Sequence, residues 1–75
     1  MLADGTYEAF VIDATIEGEG PERVVHLELT ITAGEHKGEV LGIASHGMQG
    51  EEFDLIGMPA TITVLNNYPS VRIDQ

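Results

Sequence analysis

The sequence has no cysteine, and only three of its 75 residues are Lys or Arg. The first absence excludes disulfides, iron–sulfur clusters, thiolate zinc sites and a cysteine nucleophile together, so packing alone must hold the fold. The second, set against thirteen Asp and Glu, leaves a formal net charge of -10. A surface of that sign repels polyanions and resists precipitation. Long apolar runs are also missing. The longest, Ala9 to Ile12, is far short of the roughly 20 residues that cross a bilayer, so no membrane contact is expected. Met1-Leu2-Ala3-Asp4-Gly5 lacks the basic stretch of a secretory signal, and a cytoplasmic location is the expectation.

Residues 1–75 are expected to form a single domain, since about 100 to 200 residues per domain is the usual scale. A core this small typically supplies only about 3 to 5 kcal/mol, which favours a shallow groove over a deep pocket.

The apolar pattern predicts a mostly-β fold. Thr6 to Glu17 is rich in aromatic and β-branched residues, with Tyr7, Ala9 and Val11 alternating against Phe10, Ile12, Ala14 and Ile16. Being apolar on both faces, it reads as a long curved strand with one side in the core and the other under a neighbour. Gly18-Glu19-Gly20-Pro21-Glu22 is turn chemistry. Arg23 to Ala33 carries the clearest period of two. Val25, Leu27, Leu29, Ile31 and Ala33 lie on one face, and Val24, His26, Glu28, Thr30 and Thr32 on the other.

Gly34 to Gly38 reads as a hairpin loop, followed by a short third strand over Val40 to Ala44 in which Gly42 marks a bulge or bend. Glu51 to Ile56 can form one or two helical turns, its early acids complementing the helix dipole. Gly57 is placed to end that helix and Pro59 to stop it, and Phe53, Ile56 and Met58 are expected to plug the core. Ala60 to Leu65 is a fourth strand, Asn66-Asn67 a turn, and Tyr68 to Asp74 a fifth strand with Pro69 near its start.

Strand, strand, strand, short helix, strand, strand, with a long first strand led by Gly5-Thr6-Tyr7 and with Leu55-Ile56-Gly57-Met58-Pro59 entering strand four, resembles the OB-fold small barrel. The resemblance implies a five-stranded OB-like barrel with one short helix between strands three and four. Gly34-Glu35-His36-Lys37-Gly38-Glu39-Val40 is similar to a hairpin of small phage-type proteins grouped with single-stranded-DNA-binding factors. In the OB-fold, ligands meet the outer face of strands two and three with the nearby loops, through stacking aromatics and basic residues. The corresponding surface comprises His26, Glu28 and Thr30, joined by Lys37, Tyr68 and Arg72. With Val25, Leu27, Leu29 and Ile31 inward, that strand face offers His26, Glu28, Thr30 and Thr32 without an aromatic or a permanent cation. The first loop adds Glu17, Glu19 and Glu22 against Arg23. Phosphate binding needs a track of cations, so nucleic acid is disfavoured.

Other chemistry leaves equally little. His26, His36 and His46 recur every ten residues, but are expected on a strand face, in a loop and beyond strand three. Glu51 and Glu52 lack the alternating oxygen donors of an EF-hand. Ser45-His46-Gly47 is not a nucleophile elbow, and Gly34 to Gly38 leads to a strand where a phosphate loop requires a helix. No catalytic residue, metal or cofactor is therefore expected. The leading expectation is a non-enzymatic protein-interaction module with a basic protein partner or a second copy of itself, meeting it at an exposed edge of strand five. Two alternatives stand beside it. One is a single-stranded nucleic-acid binder in which Tyr7, Tyr68, Lys37 and Arg72 converge, and the other a small-ligand or carbohydrate site at Asn66, Asn67 and Tyr68.

Overall fold

The computed structural model describes residues 2–48 and 50–74. Five strands form where alternation is strongest: β1 (Gly5–Glu17), β2 (Val24–Ile31), β3 (Val40–His46), β4 (Pro59–Leu65) and β5 (Tyr68–Ile73). A single helix, α1 (Glu52–Leu55), separates β3 from β4. The strands make one sheet in the order β3-β2-β1-β4-β5, with every ladder antiparallel. The expected mostly-β chain of five strands with a helix between the third and fourth is what forms.

The inward face of β2 does as its period requires: Val25, Leu27, Leu29 and Ile31 are all buried. Across the ladder they meet Ile16, Ala14, Val11 and Ala9 of β1. From β4 the core takes Ala60, Ile62 and Val64. No polar or charged residue is buried among the described residues.

The double-sided apolar pattern of β1 has a specific cause. Its register against β2 shifts between Val11 and Asp13. The extra residue of a bulge reverses the alternation, so Ala14 and Ile16 fall on the same side as Ala9 and Val11. Phe10 and Ile12 are left exposed, so no neighbour covers the second face. Gly42, by contrast, sits in a regular part of the β2–β3 ladder opposite Glu28.

Helix α1 is held at its start by Asp54, whose Oδ2 accepts from the Glu51 N–H at 3.1 Å. Gly57 ends it with a φ of 89°, as its place before Pro59 predicts. The Gly57 N–H then donates to Val11 O at 2.8 Å and the Val11 N–H to Met58 O at 3.0 Å, tying the segment to the β1 bulge. The plug is Leu55, 1% exposed; Phe53 is 93% exposed and Ile56 also faces outward. A helix of four residues turns only one side chain squarely inward, and the two bonds to β1 select Leu55.

Closure of the sheet was expected and does not occur. β3 and β5, at the two ends of the order, come within 8 Å of each other (Cα–Cα), yet share no ladder among the described residues. Both are antiparallel to strands that are antiparallel to β1, so they run in the same direction. Pro69 of β5 has no N–H to offer.

At the far end of the sheet, Asn66 and Asn67 adopt φ of 52° and 67°, the left-handed pair that a two-residue hairpin needs. Their N–H groups donate to the two carboxylate oxygens of Asp4, at 3.1 and 3.3 Å.

Candidate interaction surface

The outward side chains of β1, β2 and β3 make a trough of short cross-strand rows. Phe10, Thr30 and Val40 form the first row, and Asp13, Glu28 and Gly42 the second. Thr15, His26 and Ala44 come next, then Glu17, Val24 and His46. A groove of about 400 Å³ runs over the middle rows, lined by Asp13, Thr15, His26, Glu28, Val40 and Gly42 among others. The expected residues His26, Glu28 and Thr30 share this face.

The chemistry of the trough is acidic. Asp13 and Glu28 lie directly opposite each other, an arrangement that disfavours folding unless a cation relieves it. Its only bases are imidazoles, and His26 Nε2 is 3.6 Å from Glu17 Oε2 in an exposed pair of small energetic weight. His46 lies on the same face, diagonal to His26, while His36 sits in the loop at the opposite end of β2 and β3. There its Nδ1 pairs with Glu39 Oε2 and its ring meets Tyr7 edge-on at 5.9 Å. The three histidines do not converge, and the described residues contain no cluster of three potential metal ligands.

One of the three permanent cations is held within the fold, and a second forms an exposed ion pair. Arg23 donates through Nη1 to Met48 O and through Nη2 to Gly50 O, clamping the loop between β3 and α1. Arg72 donates through Nε to Asp74 Oδ1 at 3.1 Å. Lys37 lies in the turn between β2 and β3. Tyr68 and Arg72 share the outer face of β5, Tyr68 being 80% exposed opposite the exposed Leu65. Two strands, β1 and β4, separate that face from His26 and Glu28. The six expected residues thus fall into three places: His26, Glu28 and Thr30 on β2, Lys37 in its loop, Tyr68 and Arg72 on β5.

Tyr7 lies against His36 in the loop that carries Lys37, its hydroxyl donating to Ala3 O, while Tyr68 and Arg72 stand on β5. Asn66 and Asn67 are accounted for by the hairpin geometry and the Asp4 clasp. Asp13, Val40 and Gly42 belong to the trough but were not foreseen. The bulge that aims Asp13 outward is visible in the sequence only as apparent two-sided hydrophobicity.

Beside Arg72, Thr61 Oγ1 donates to Asp74 Oδ2 at 2.8 Å. The Thr61 hydroxyl holds the Asp74 carboxyl below its usual value; desolvation acts against it, and the hydrogen bond and charge of Arg72 add to the lowering. A carboxyl lowered in the fold stabilises it above the unfolded pKa and loses that contribution as pH falls through the folded one. In Thr61→Val, the Asp74 titration followed by carboxyl NMR is expected to move to higher pH; an unchanged midpoint would assign the shift elsewhere.

No described helix is long and apolar enough to cross a membrane. The fold defines the class: a small five-stranded antiparallel β domain with an open seam between its end strands. Within that class no protein-family model matches the chain, and no curated protein or solved structure shows significant similarity to it.

Proposed function

We propose that the chain is a non-enzymatic protein-interaction module, OB-like in its strand order and cytoplasmic, whose acidic surface engages a basic polypeptide. The observation that carries this reading is the distribution of charge. The formal charge is -10, Arg23 is engaged by two backbone carbonyls, Arg72 stands beside Asp74, and the face that OB-folds use for ligands sets Asp13 opposite Glu28. Fields of one sign accelerate encounter with the opposite sign and suppress wrong partners. The same distribution speaks against single-stranded nucleic acid, whose affinity comes from neutralised phosphates and aromatic stacking. It also opposes self-association, since two copies bring like charges together.

The test is an amide-resolved NMR titration at low salt, where electrostatic binding is strongest, with a ten-lysine peptide and in parallel with a mixed-sequence single-stranded DNA 12-mer. The peptide is expected to shift resonances of the acidic face, with affinity falling as salt rises, and the DNA to shift none. DNA-induced shifts gathered at His26, Lys37, Tyr68 and Arg72 would replace this reading with the nucleic-acid one.

A further inference from the structure

Five of the seven large apolar side chains exposed among the described residues gather on one side of the sheet: Phe10, Ile12, Val40, Phe53 and Ile56. Leu65 and Tyr68 lie apart, at the hairpin between β4 and β5. The register shows why the first five meet. Phe10 shares its outward row with Thr30 and Val40 and pairs with Pro59 on its other side. Before Pro59, Met58 and Gly57 run along β1 and bond to Val11. One residue further, that antiparallel run brings Ile56 beside Ile12, the unpaired residue of the bulge. Phe53 stands three residues before Ile56, on the same side of the helical turn.

Exposed apolar side chains scattered singly need no explanation, whereas a contiguous strip marks a place where another molecule removes it from water. Phe53 is the sharpest case, because α1 already has its anchor in Leu55. The strip lies on a face of the sheet, away from its edges. β1 is the central strand, bonded to β2 on one side and to β4 with the Gly57-Met58 segment on the other. An occupant therefore finds no free row of N–H and C=O groups to pair with and must satisfy its own backbone, as an α-helix does. Steps of about 5 to 7 Å from Phe53 to Ile56, Ile12 and Phe10 give the strip roughly the length of three helical turns.

Charge decides which helix fits. Neither β1 nor α1 contains a Lys or Arg. On the β2 side of the strip, Asp13 follows Ile12 and lies opposite Glu28, and both carboxylates line the acidic groove. On the α1 side, Glu52 and Asp54 flank Phe53. The apolar strip thus runs between two acidic margins. A second copy of the chain would bring like charge to both.

Resting on the reading of a module for basic partners, we propose that this strip docks a cationic amphipathic helix of the partner protein. The apolar stripe of the helix covers Phe10, Ile12, Ile56 and Phe53, and its flanking Lys or Arg side chains reach Asp13 and Glu28 on one margin and Glu52 and Asp54 on the other. Burial of the apolar anchors supplies most of the affinity, and the charged margins orient the helix and reject acidic competitors.

The probe is an acetylated and amidated peptide of about 18 residues, all leucine or lysine, with the leucines at helical i, i+3, i+4 and i+7 spacing. It is titrated into the isotopically labelled protein at low salt. A companion of the same composition and charge scatters its leucines around the helix. The amphipathic peptide is expected to shift Phe10, Ile12, Phe53 and Ile56 together with Asp13 and Glu28, and the companion to bind about tenfold more weakly or worse. Phe53→Ala keeps the fold, since that side chain is almost wholly exposed. It is expected to weaken the amphipathic peptide about tenfold, as the burial of a phenylalanine side chain implies, and to leave the companion unchanged. Equal binding by both peptides, or binding of the first that Phe53→Ala does not weaken, would overturn the docking strip and leave the basic-partner reading standing. No binding by either would end both. Self-association in sedimentation without peptide, abolished by Phe53→Ala, would give the strip to a second copy and overturn the proposal.

Discussion

Replacing Leu29 by alanine is expected to remove most of the stability of the fold and bring the chain close to its unfolding midpoint at room temperature. Leu29 is fully buried, on the central-facing side of β2 between Val11 of β1 and Leu41 of β3. Truncating such a leucine costs about 2 to 5 kcal/mol, because the cavity left behind adds to the lost transfer energy. A core of this size supplies only about 3 to 5 kcal/mol in total. The measurement is urea denaturation followed by far-ultraviolet circular dichroism, with Phe53→Ala as the control. Phe53 is apolar but almost wholly exposed, so its truncation is expected to change stability by less than about 0.5 kcal/mol. A Phe53→Ala loss comparable to that of Leu29→Ala would mean that α1 packs through the wrong face in the account given above.

Arg23→Met is the second large expected loss. Methionine keeps much of the aliphatic stem but removes both donors to Met48 O and Gly50 O. Hydrogen bonds to charged groups contribute about 1.5 to 3 kcal/mol each, and half-buried ones less; for the pair, a loss of about 1.5 to 3 kcal/mol is expected. Hydrogen exchange should also rise locally between Gly47 and Gly50, because the clamp crosses from the start of β2 to that loop. Arg72→Ala provides the contrast. Its ion pair with Asp74 is exposed, and exposed pairs contribute about 0 to 1 kcal/mol. Equal effects of the two substitutions would show that net charge, rather than the clamp, governs the loss.

That contrast bears on function as well as stability. A cation engaged by two backbone carbonyls cannot also track a phosphate chain, and this removes Arg23 from any polyanion surface. The acidic face remains without a counter-charge of its own.

The candidate surface was only half legible from residue order. The outward set His26, Glu28 and Thr30 followed directly from the period of two in β2, because neighbouring side chains of a strand must point to opposite faces. Tyr68 and Arg72 were grouped with them on the strength of a barrel pattern. Strand order places them on the opposite part of the sheet, since β1 and β4 intervene. Asp13 was hidden by the bulge: in linear alternation it shares a phase with Val11, and only the inserted residue turns it outward opposite Glu28. The apolar pattern points to Phe53, Ile56 and Met58 where the structure buries Leu55, since four helical residues carry too little periodicity to identify an inward face.

By itself, the sequence determined the local and compositional features of this protein: strands where β-branched residues alternate, a helix stop at Gly57 and Pro59, a two-residue hairpin at Asn66-Asn67, and an acidic exterior. These depend on backbone sterics and on charge, which act over a few residues or on the chain as a whole. The tertiary structure alone decided that the sheet stays open between β3 and β5, that Arg23 clamps a loop more than twenty residues away in the chain, and that Asp13 turns outward opposite Glu28. Each joins residues from separate strands or loops, and such meetings are set by register, bulges and the packing of one shared core, none of which a single strand encodes.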